Sequence, residues 1–273
     1  MSTPPPLVDR PALLKRRARA ARAPADFLHE AAADDLQDRL EMVNRDFRDV
    51  AIVTGWSEPW QARFPKARIV PDDEVLALEP GGHDLVIHAM ALHWANDPVG
   101  QIIQCRRALR PDGLFLCATL GGQTLGELRA ALGEAEIELT GGLSPRVAPM
   151  GDIRDLGALL QRAGLALPVA DAAPLTVRYE SALSLMRDLR AMGETNALAA
   201  RLRHPTRRAV LLRAIEIYAE SYGGADGRVP ARFEIVTLTG WAPDASQPQP
   251  LRPGSAAQRL ADALGATETP LRD

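Results

Sequence analysis

The stretch from His83 to Gly122, HDLVIHAMALHWANDPVGQIIQCRRALRPDGLFLCATLGG, decides the fold class. Asp84-Leu85-Val86-Ile87 is a short apolar run with β-branched residues, the composition of a central strand covered on both faces. Asp97-Pro98 then marks a helix start, because proline is tolerated where the first N–H has no partner anyway. Ile102, Cys105 and Leu109 recur at helical spacing, and Arg106, Arg107 and Arg110 gather where positive charge suits the end of the helix dipole. Pro111-Asp112-Gly113 supplies a stop and a tight turn, and Leu114 to Ala118 reads as a second buried strand. Two parallel strands joined by a covering helix make a right-handed βαβ unit.

The 273 residues around this unit suffice for one large α/β domain, alone or with an appended lobe, and for a substantial core. A net charge of -3 with ordinary apolar content describes a globular protein without the global basic excess of a dedicated nucleic-acid binder. No segment is long and apolar enough to span a bilayer. Cys105 and Cys117, the only two cysteines, fall in a helix and a buried strand, so they read as small hydrophobes suited to a reducing compartment. The abundance of Ala, Arg and Leu suggests a GC-rich bacterial source; the expected location is cytoplasmic, with peripheral association at the inner membrane as the other expectation.

Upstream, Arg10 to Arg22 holds six basic side chains. A transit peptide, a site for an anionic partner, and a solvated helix packing Leu13 and Leu14 on the domain are the three readings of this arm, taken as residues 1–25; charge runs usually face water, which favours the last. Leu36, Leu40, Val43 and Phe47 predict a helix, with Asp34, Asp35 and Asp38 placed early in it. Val50-Ala51-Ile52-Val53 predicts the first central strand. Only about thirty residues separate it from Asp84, roughly enough for one βαβ connection. Arg68-Ile69-Val70 supplies a single short strand within that connection.

Downstream, Gly121-Gly122-Gln123-Thr124 opens a helix carrying Leu125, Leu128 and Leu132, and Asp152 to Ala163 predicts another that stops at Gly164. Pro168 to Tyr179 predicts one strand, or two broken at Pro174. Residues 182–222 change to helices, one with Leu185, Met186 and Leu189 on its apolar face and one with Leu211, Leu212, Ile215, Ile217 and Tyr218, read as a lid inserted over the sheet. RFEIVTLTGW, Arg232 to Trp241, predicts a last antiparallel strand near the edge, which closes a domain over 26–241. Residues 242–273 predict a tail with a short amphipathic piece at Leu260 and Leu264.

The order strand, ALHW turn, helix, LRPDG turn and strand resembles the fourth and fifth strands of the class I S-adenosylmethionine-dependent methyltransferases. Other fragments extend the similarity over most of the chain: Leu7-Val8-Asp9-Arg10, Phe27-Leu28, Ser144-Pro145-Arg146-Val147, Arg190-Ala191-Met192-Gly193-Glu194-Thr195-Asn196 and Phe233-Glu234-Ile235-Val236. Their order resembles the branch of the mitochondrial complex I assembly factors and, more distantly, the malonyl carrier-protein methyltransferases. The resemblance implies a doubly wound, mostly parallel Rossmann-like sheet, one strand-helix unit short, with a helical lid. It also implies S-adenosylmethionine as cofactor and a protein client such as a respiratory complex I subunit.

A methyltransferase cofactor loop needs glycines after the first strand, so that bare backbone approaches the methionine part of the cofactor. Here the loop reads Thr54-Gly55-Trp56-Ser57-Glu58-Pro59-Trp60, with one glycine followed at once by an indole. By the resemblance, Gly55, Asp72, Asp73, His88 and Ala89 line the cofactor crevice; Asp72 and Asp73 read equally well as an acidic loop or helix cap. His88 and His93 sit at the carboxyl edge of the sheet and are candidates for proton transfer, or else for packing. Arg190 and Asn196 are the candidates for the client side, with helix-loop capping as the other reading of Asn196. Even spacing of His83, His88 and His93 invites a metal site, but five-residue steps across strand and loop do not converge, so no metal is expected. No Gly-x-Ser-x-Gly elbow or Gly-x-x-x-x-Gly-Lys loop is present. Three functions remain: a methyltransferase-like protein acting on or chaperoning a protein client, related to arginine hydroxylation in that branch; a non-catalytic adaptor that kept the lid and lost its cofactor loop; and a carrier-protein O-methyltransferase.

Overall fold

The computed structural model describes residues 5–248 and Gly265. Residues up to Pro243 form one compact unit. In chain order it contains α1 (Arg10–Ala20), α2 (Phe27–Met42), β1 (Val50–Thr54), α3 (Glu58–Arg63), β2 (Arg68–Val70), β3 (His83–Ala89), a 3-10 turn (Leu92–Trp94), α4 (Pro98–Ala108), β4 (Leu109–Leu120), α5 (Gly126–Thr140), α6 (Ile153–Arg162), β5 (Ala166–Tyr179), α7 (Ala182–Ala191), α8 (Arg208–Tyr222) and β6 (Val229–Trp241). From Asp244 a separate unit begins, where Asp244 accepts from the backbone N–H of Ser246 in a short turn. The amphipathic piece expected at Leu260 and Leu264 lies outside the described residues.

The six strands stand in the order β2-β1-β3-β4-β6-β5. β2, β1, β3 and β4 pair in parallel, whereas β6 is antiparallel to both β4 and β5. The chain winds one way from β1 to β2 and the other way from β3 onward, so the topological switch lies between β1 and β3. The short connection between them carries only α3 and β2, as the thirty-residue span predicts. Alternation along the strands divides the core into two layers. Ile52, Leu85, Ile87, Leu114 and Leu116 pack with α2, α5, α7 and α8, while Val53, Val86, Phe115 and Cys117 pack with α4 and α6.

Several expectations need correction. α2 starts at Phe27 and ends at Met42, so Asp34, Asp35 and Asp38 lie mid-helix and Val43 and Phe47 lie beyond it. Val43 turns to extended backbone because the chain must swing toward β1, where the carboxylate of Asp84 accepts from the N–H groups of Arg48 and Asp49. α4 stops at Ala108; Leu109 enters β4, and the Pro-Asp-Gly segment becomes an irregularity within that strand, with Asp112 at φ 58. Leu14 is exposed while Leu13 is fully buried, because only one face of α1 meets the domain. Likewise Leu212 points outward from α8, and the buried stripe is Val210, Ala214, Ile217 and Tyr218. Pro174 does not break β5: its register with Glu234 continues through an edge strand, where a missing N–H is tolerated.

Candidate functional site

Helix α1 lies across the carboxyl ends of β1 and β2, and its sequence explains how it is held there. Asp9 caps its first turn by accepting from the N–H of Ala12, and the same carboxylate pairs with Arg201 at 2.9 Å and Arg203 at 2.6 Å. Preceding the helix, Val8 forms an isolated antiparallel bridge with Leu198, and the N–H of Asp9 donates to Ala197 at 2.8 Å. Val8 and Leu13 pack with Trp94, Ala148, Ala197 and Leu198 in a small core of their own. The basic arm is therefore built into the lid-side loop by backbone bonds as well as by charge.

Its inward face carries Arg10 and Arg17, seven residues apart and so on one side of the helix. Both reach Asp72, two residues beyond β2. Arg17 Nη1 stands 2.8 Å from Oδ1 and 2.9 Å from Oδ2 of Asp72, while Arg10 donates to Oδ2 at 3.2 Å and to the Asp72 carbonyl at 2.7 Å. Burial works against the Asp72 carboxylate, but the two guanidiniums outweigh it and hold its pKa below the ordinary value. The Asp73 side chain is mostly exposed, and its carboxylate meets Arg10 at 3.5 Å.

Gly55 begins the turn after β1, and the space where a side chain would stand is filled by the Arg17 guanidinium, which a Cβ there would overlap. Arg17, His29, Gly55, Trp56, Met90, Met192 and Glu194 close on one another so tightly that no water-sized volume remains among them. Met90 follows β3 with φ 50, an unusual backbone for a non-glycine residue, and its N–H donates to Ala118. His29 accepts from Trp60 Nε1 at 3.0 Å, and burial lowers its pKa from 6.5 to about 4, which keeps it neutral.

Of the two candidate proton-transfer residues, His88 is fully buried below this edge. Its Nε2 stands 2.8 Å from Gln101 Oε1, and Gln101 Nε2 donates to the Asp73 carbonyl, so the imidazole braces the acidic loop from within the sheet. The amide's orientation assigns the proton to Nε2 of His88, and burial lowers its pKa. Ala89 is likewise fully buried, at the end of β3. His93 lies at the rim on the 3-10 turn, with Nδ1 3.2 Å from Thr119 Oγ1 and Nε2 3.2 Å from Glu194 Oε2. His83 is at the opposite end of β3, near the Asp49 carbonyl. Among the described residues no group of three His, Cys, Asp or Glu side chains is placed to hold a metal.

Glu194 is the residue that the sequence contained but did not single out. Gly193, at φ 78, turns the chain after α7 and aims Glu194 inward, where its carboxylate accepts from Trp94 Nε1 at 2.7 Å. Desolvation alone would raise its pKa; His93, Arg17 and Trp94 together reverse that and keep it low. Glu194 lines both the closed crevice and a much larger cavity of about 500 Å3 beneath α7 and α8. The walls of that cavity are apolar, with Leu28, Leu120, Leu128, Met186, Leu189 and Phe233. Four arginines also line it, Arg16, Arg146, Arg190 and Arg201, the last paired with Asp9. Arg146 is neutralised by Glu136 at 2.7 Å, whereas Arg190 has no acid within ion-pair reach among the described residues. Asn196 caps the loop: its side chain donates to Pro145 and accepts from Leu198, and its carbonyl accepts from Arg16 Nε at 2.8 Å.

A family model described as a methyltransferase domain matches residues 49–117, from the approach to β1 through the middle of β4. The chain is 40% identical over 199 residues to the zebrafish (Danio rerio) protein named arginine-hydroxylase NDUFAF5, mitochondrial, covering 73% of this chain and 62% of that one. Against the mouse protein of that name it is 34% identical, with 92% of this chain and 81% of the relative covered. It is also 36% identical to a malonyl-[acyl-carrier protein] O-methyltransferase of Laribacter hongkongensis, over 79% of this chain and 69% of that one. With four parallel strands winding both ways from a switch point, two antiparallel strands beyond and a helical lid, the chain belongs to the class I S-adenosylmethionine-dependent methyltransferase superfamily, in the branch related to NDUFAF5.

Proposed function

We propose that this protein is a methyltransferase-like assembly factor that receives a segment of a protein client in the cavity beneath α7 and α8. A respiratory complex I subunit is the client that the NDUFAF5 relationship suggests. The observation that carries the reading is a contrast at the carboxyl edge. The lid cavity offers about 500 Å3 with apolar walls, within the range of roughly 300–1,000 Å3 that holds a bound group. By comparison, the crevice beside Gly55 has no room for a water molecule. S-adenosylmethionine does not fit the crevice as the chain is folded, because the Arg17 guanidinium covers Gly55 and both oxygens of Asp72 are engaged by arginines. Client capture asks only for the cavity, its arginines and the ionised Glu194.

No helix among the described residues is long and apolar enough to cross a membrane. We place the chain in the bacterial cytoplasm, meeting its client at the inner membrane as a peripheral partner. A photo-crosslinking amino acid substituted for Met186 tests the reading in cells. The expected product joins residue 186 to one respiratory-complex subunit and disappears when Leu189→Trp fills the cavity. Products confined to unrelated proteins, or insensitive to Leu189→Trp, would reject it.

One observation favours a second reading. Arg190 and Arg16 bring positive charge to the mouth of an apolar cavity, an arrangement suited to a chain ending in a carboxylate, as a carrier-bound acyl acceptor does. Crosslinking to an acyl carrier protein in place of a respiratory subunit would select it.

A further inference from the structure

Arg17 lies where a ligand of the crevice would have to lie. Its guanidinium covers the bare backbone of Gly55, the one glycine of the β1 turn, and uses both carboxylate oxygens of Asp72. Asp72 is the acid two residues beyond β2, one strand away from the switch point between β1 and β3 where a doubly wound sheet receives nucleotides. A nucleoside placed there would direct its ribose hydroxyls at the oxygens that Arg17 now occupies, and its remaining bulk would need volume that the packed side chains do not leave. Arginine and nucleoside exclude one another on both counts.

The contact is built to be separable. When Arg17 leaves, Asp72 retains Arg10, which bonds its carbonyl as well as its carboxylate. Arg17 also touches the lid: its Cγ would stand 3.2 Å from a Cβ on Gly193, and neighbouring Arg16 holds the Asn196 carbonyl. Moving α1 therefore pulls on the segment from Gly193 to Leu198, which carries Glu194 between the crevice and the lid cavity.

We propose that Arg17 is an internal occupant of the cofactor crevice, and that a ligand of the S-adenosyl nucleoside class enters only when α1 withdraws this side chain from Gly55 and Asp72. The arm is then an autoinhibitory element coupled through residues 193–198 to the lid. Occupancy of the lid cavity and of the crevice influence each other reciprocally, as linkage requires. This inference concerns the crevice alone, so its failure leaves the crosslinking test of the lid cavity untouched.

Titration calorimetry of the full chain with S-adenosylhomocysteine tests it, using the native protein, Arg17→Ala and Arg17→Met. Arg17→Ala vacates the space and is expected to bind at least about tenfold more tightly than the native chain, the factor lost when a competent state is populated in one molecule in ten. Arg17→Met keeps the bulk without the charge and is expected to stay within about threefold of native if volume is the main barrier. Native binding that Arg17→Ala weakens would overturn the proposal, since Arg17 would then be a ligand contact. A folded Arg17→Ala that binds nothing would overturn it as well, since the crevice would not be a nucleoside site. Hydrogen exchange of the native chain at saturating S-adenosylhomocysteine supplies a readout free of any folding defect. Faster exchange confined to α1 and residues 193–198 is expected, and unchanged or slower exchange there contradicts the proposal.

Discussion

The two hollows at the carboxyl edge of this sheet share a wall, Glu194, and differ in what fills them. On the β1 side, Arg17, His29, Met90 and Met192 close the crevice around an ion pair; on the β4 side, leucines, Met186 and Phe233 stand apart around open space. The filled side is dry and charged, so its stability rests on mutual neutralisation of Arg17 and Asp72. The open side is lined mostly by apolar side chains around free space, so it tolerates changes in volume. One edge of a sheet can thus close one hollow with its own side chain while leaving the neighbouring hollow open.

The largest effect expected from this contrast is that of Asp72→Ala. It strands Arg17, only 8% exposed, without its acid, and loss of one partner from a buried pair costs about 3–5 kcal/mol. A urea unfolding curve measures it; a loss below about 1 kcal/mol would show that water already reaches the pair. Next comes the pH response of the crevice wall. His29 titrates near 4 in the fold against 6.5 for the ordinary side chain, so the unfolded chain takes up its proton first as pH falls. Its contribution is intact above pH 6.5 and is lost progressively toward pH 4, by about 3 kcal/mol in all. His29→Gln should flatten that part of the stability profile; an unchanged slope would assign it to other groups.

Paired enlargements compare the two sides directly. Gly55→Ala drives its new methyl into the Arg17 guanidinium and is expected to cost about 1–3 kcal/mol by loosening the pair with Asp72. Met186→Trp adds more volume but faces the cavity, and is expected to cost less than about 1 kcal/mol. Equal costs in thermal unfolding would mean that the cavity is as tightly packed as the crevice. The smallest effect belongs to Arg190→Ala, within about 0.5 kcal/mol in stability because no acid among the described residues pairs with it. Its effect should appear instead as weaker crosslinking from residue 186 to the client.

Much of the edge was legible before the fold was known. Gly55, Asp72 and Ala89 lie at or just beyond the carboxyl ends of β1, β2 and β3, because strand periodicity locates those ends and a parallel sheet aligns them. Arg190, expected on the client side, lines the lid cavity in the last turn of α7. Arg17 was not singled out, because a guanidinium in a run of basic residues looks the same whether it meets water or a buried acid 55 residues away. Glu194 was hidden inside the RAMGETN fragment; its role depends on Trp94, which is 100 residues distant. His88 gave the opposite lesson, as its position at the edge is real but its imidazole turns inward to Gln101.

The sequence by itself determined the doubly wound sheet, its shortened β1-to-β3 connection, the antiparallel last strand and the helical lid. The short connection, the last strand and the lid helices follow from local periodicity, turn residues and segment lengths, whereas the doubly wound order is what the resemblance to the methyltransferase family implied. Only the tertiary structure decided what occupies the crevice and what stays open. Pairing of Arg17 with Asp72, the burial of Glu194 and the space beneath α7 and α8 arise from side chains far apart in the chain, whose desolvation and packing exist only once the fold has brought them together.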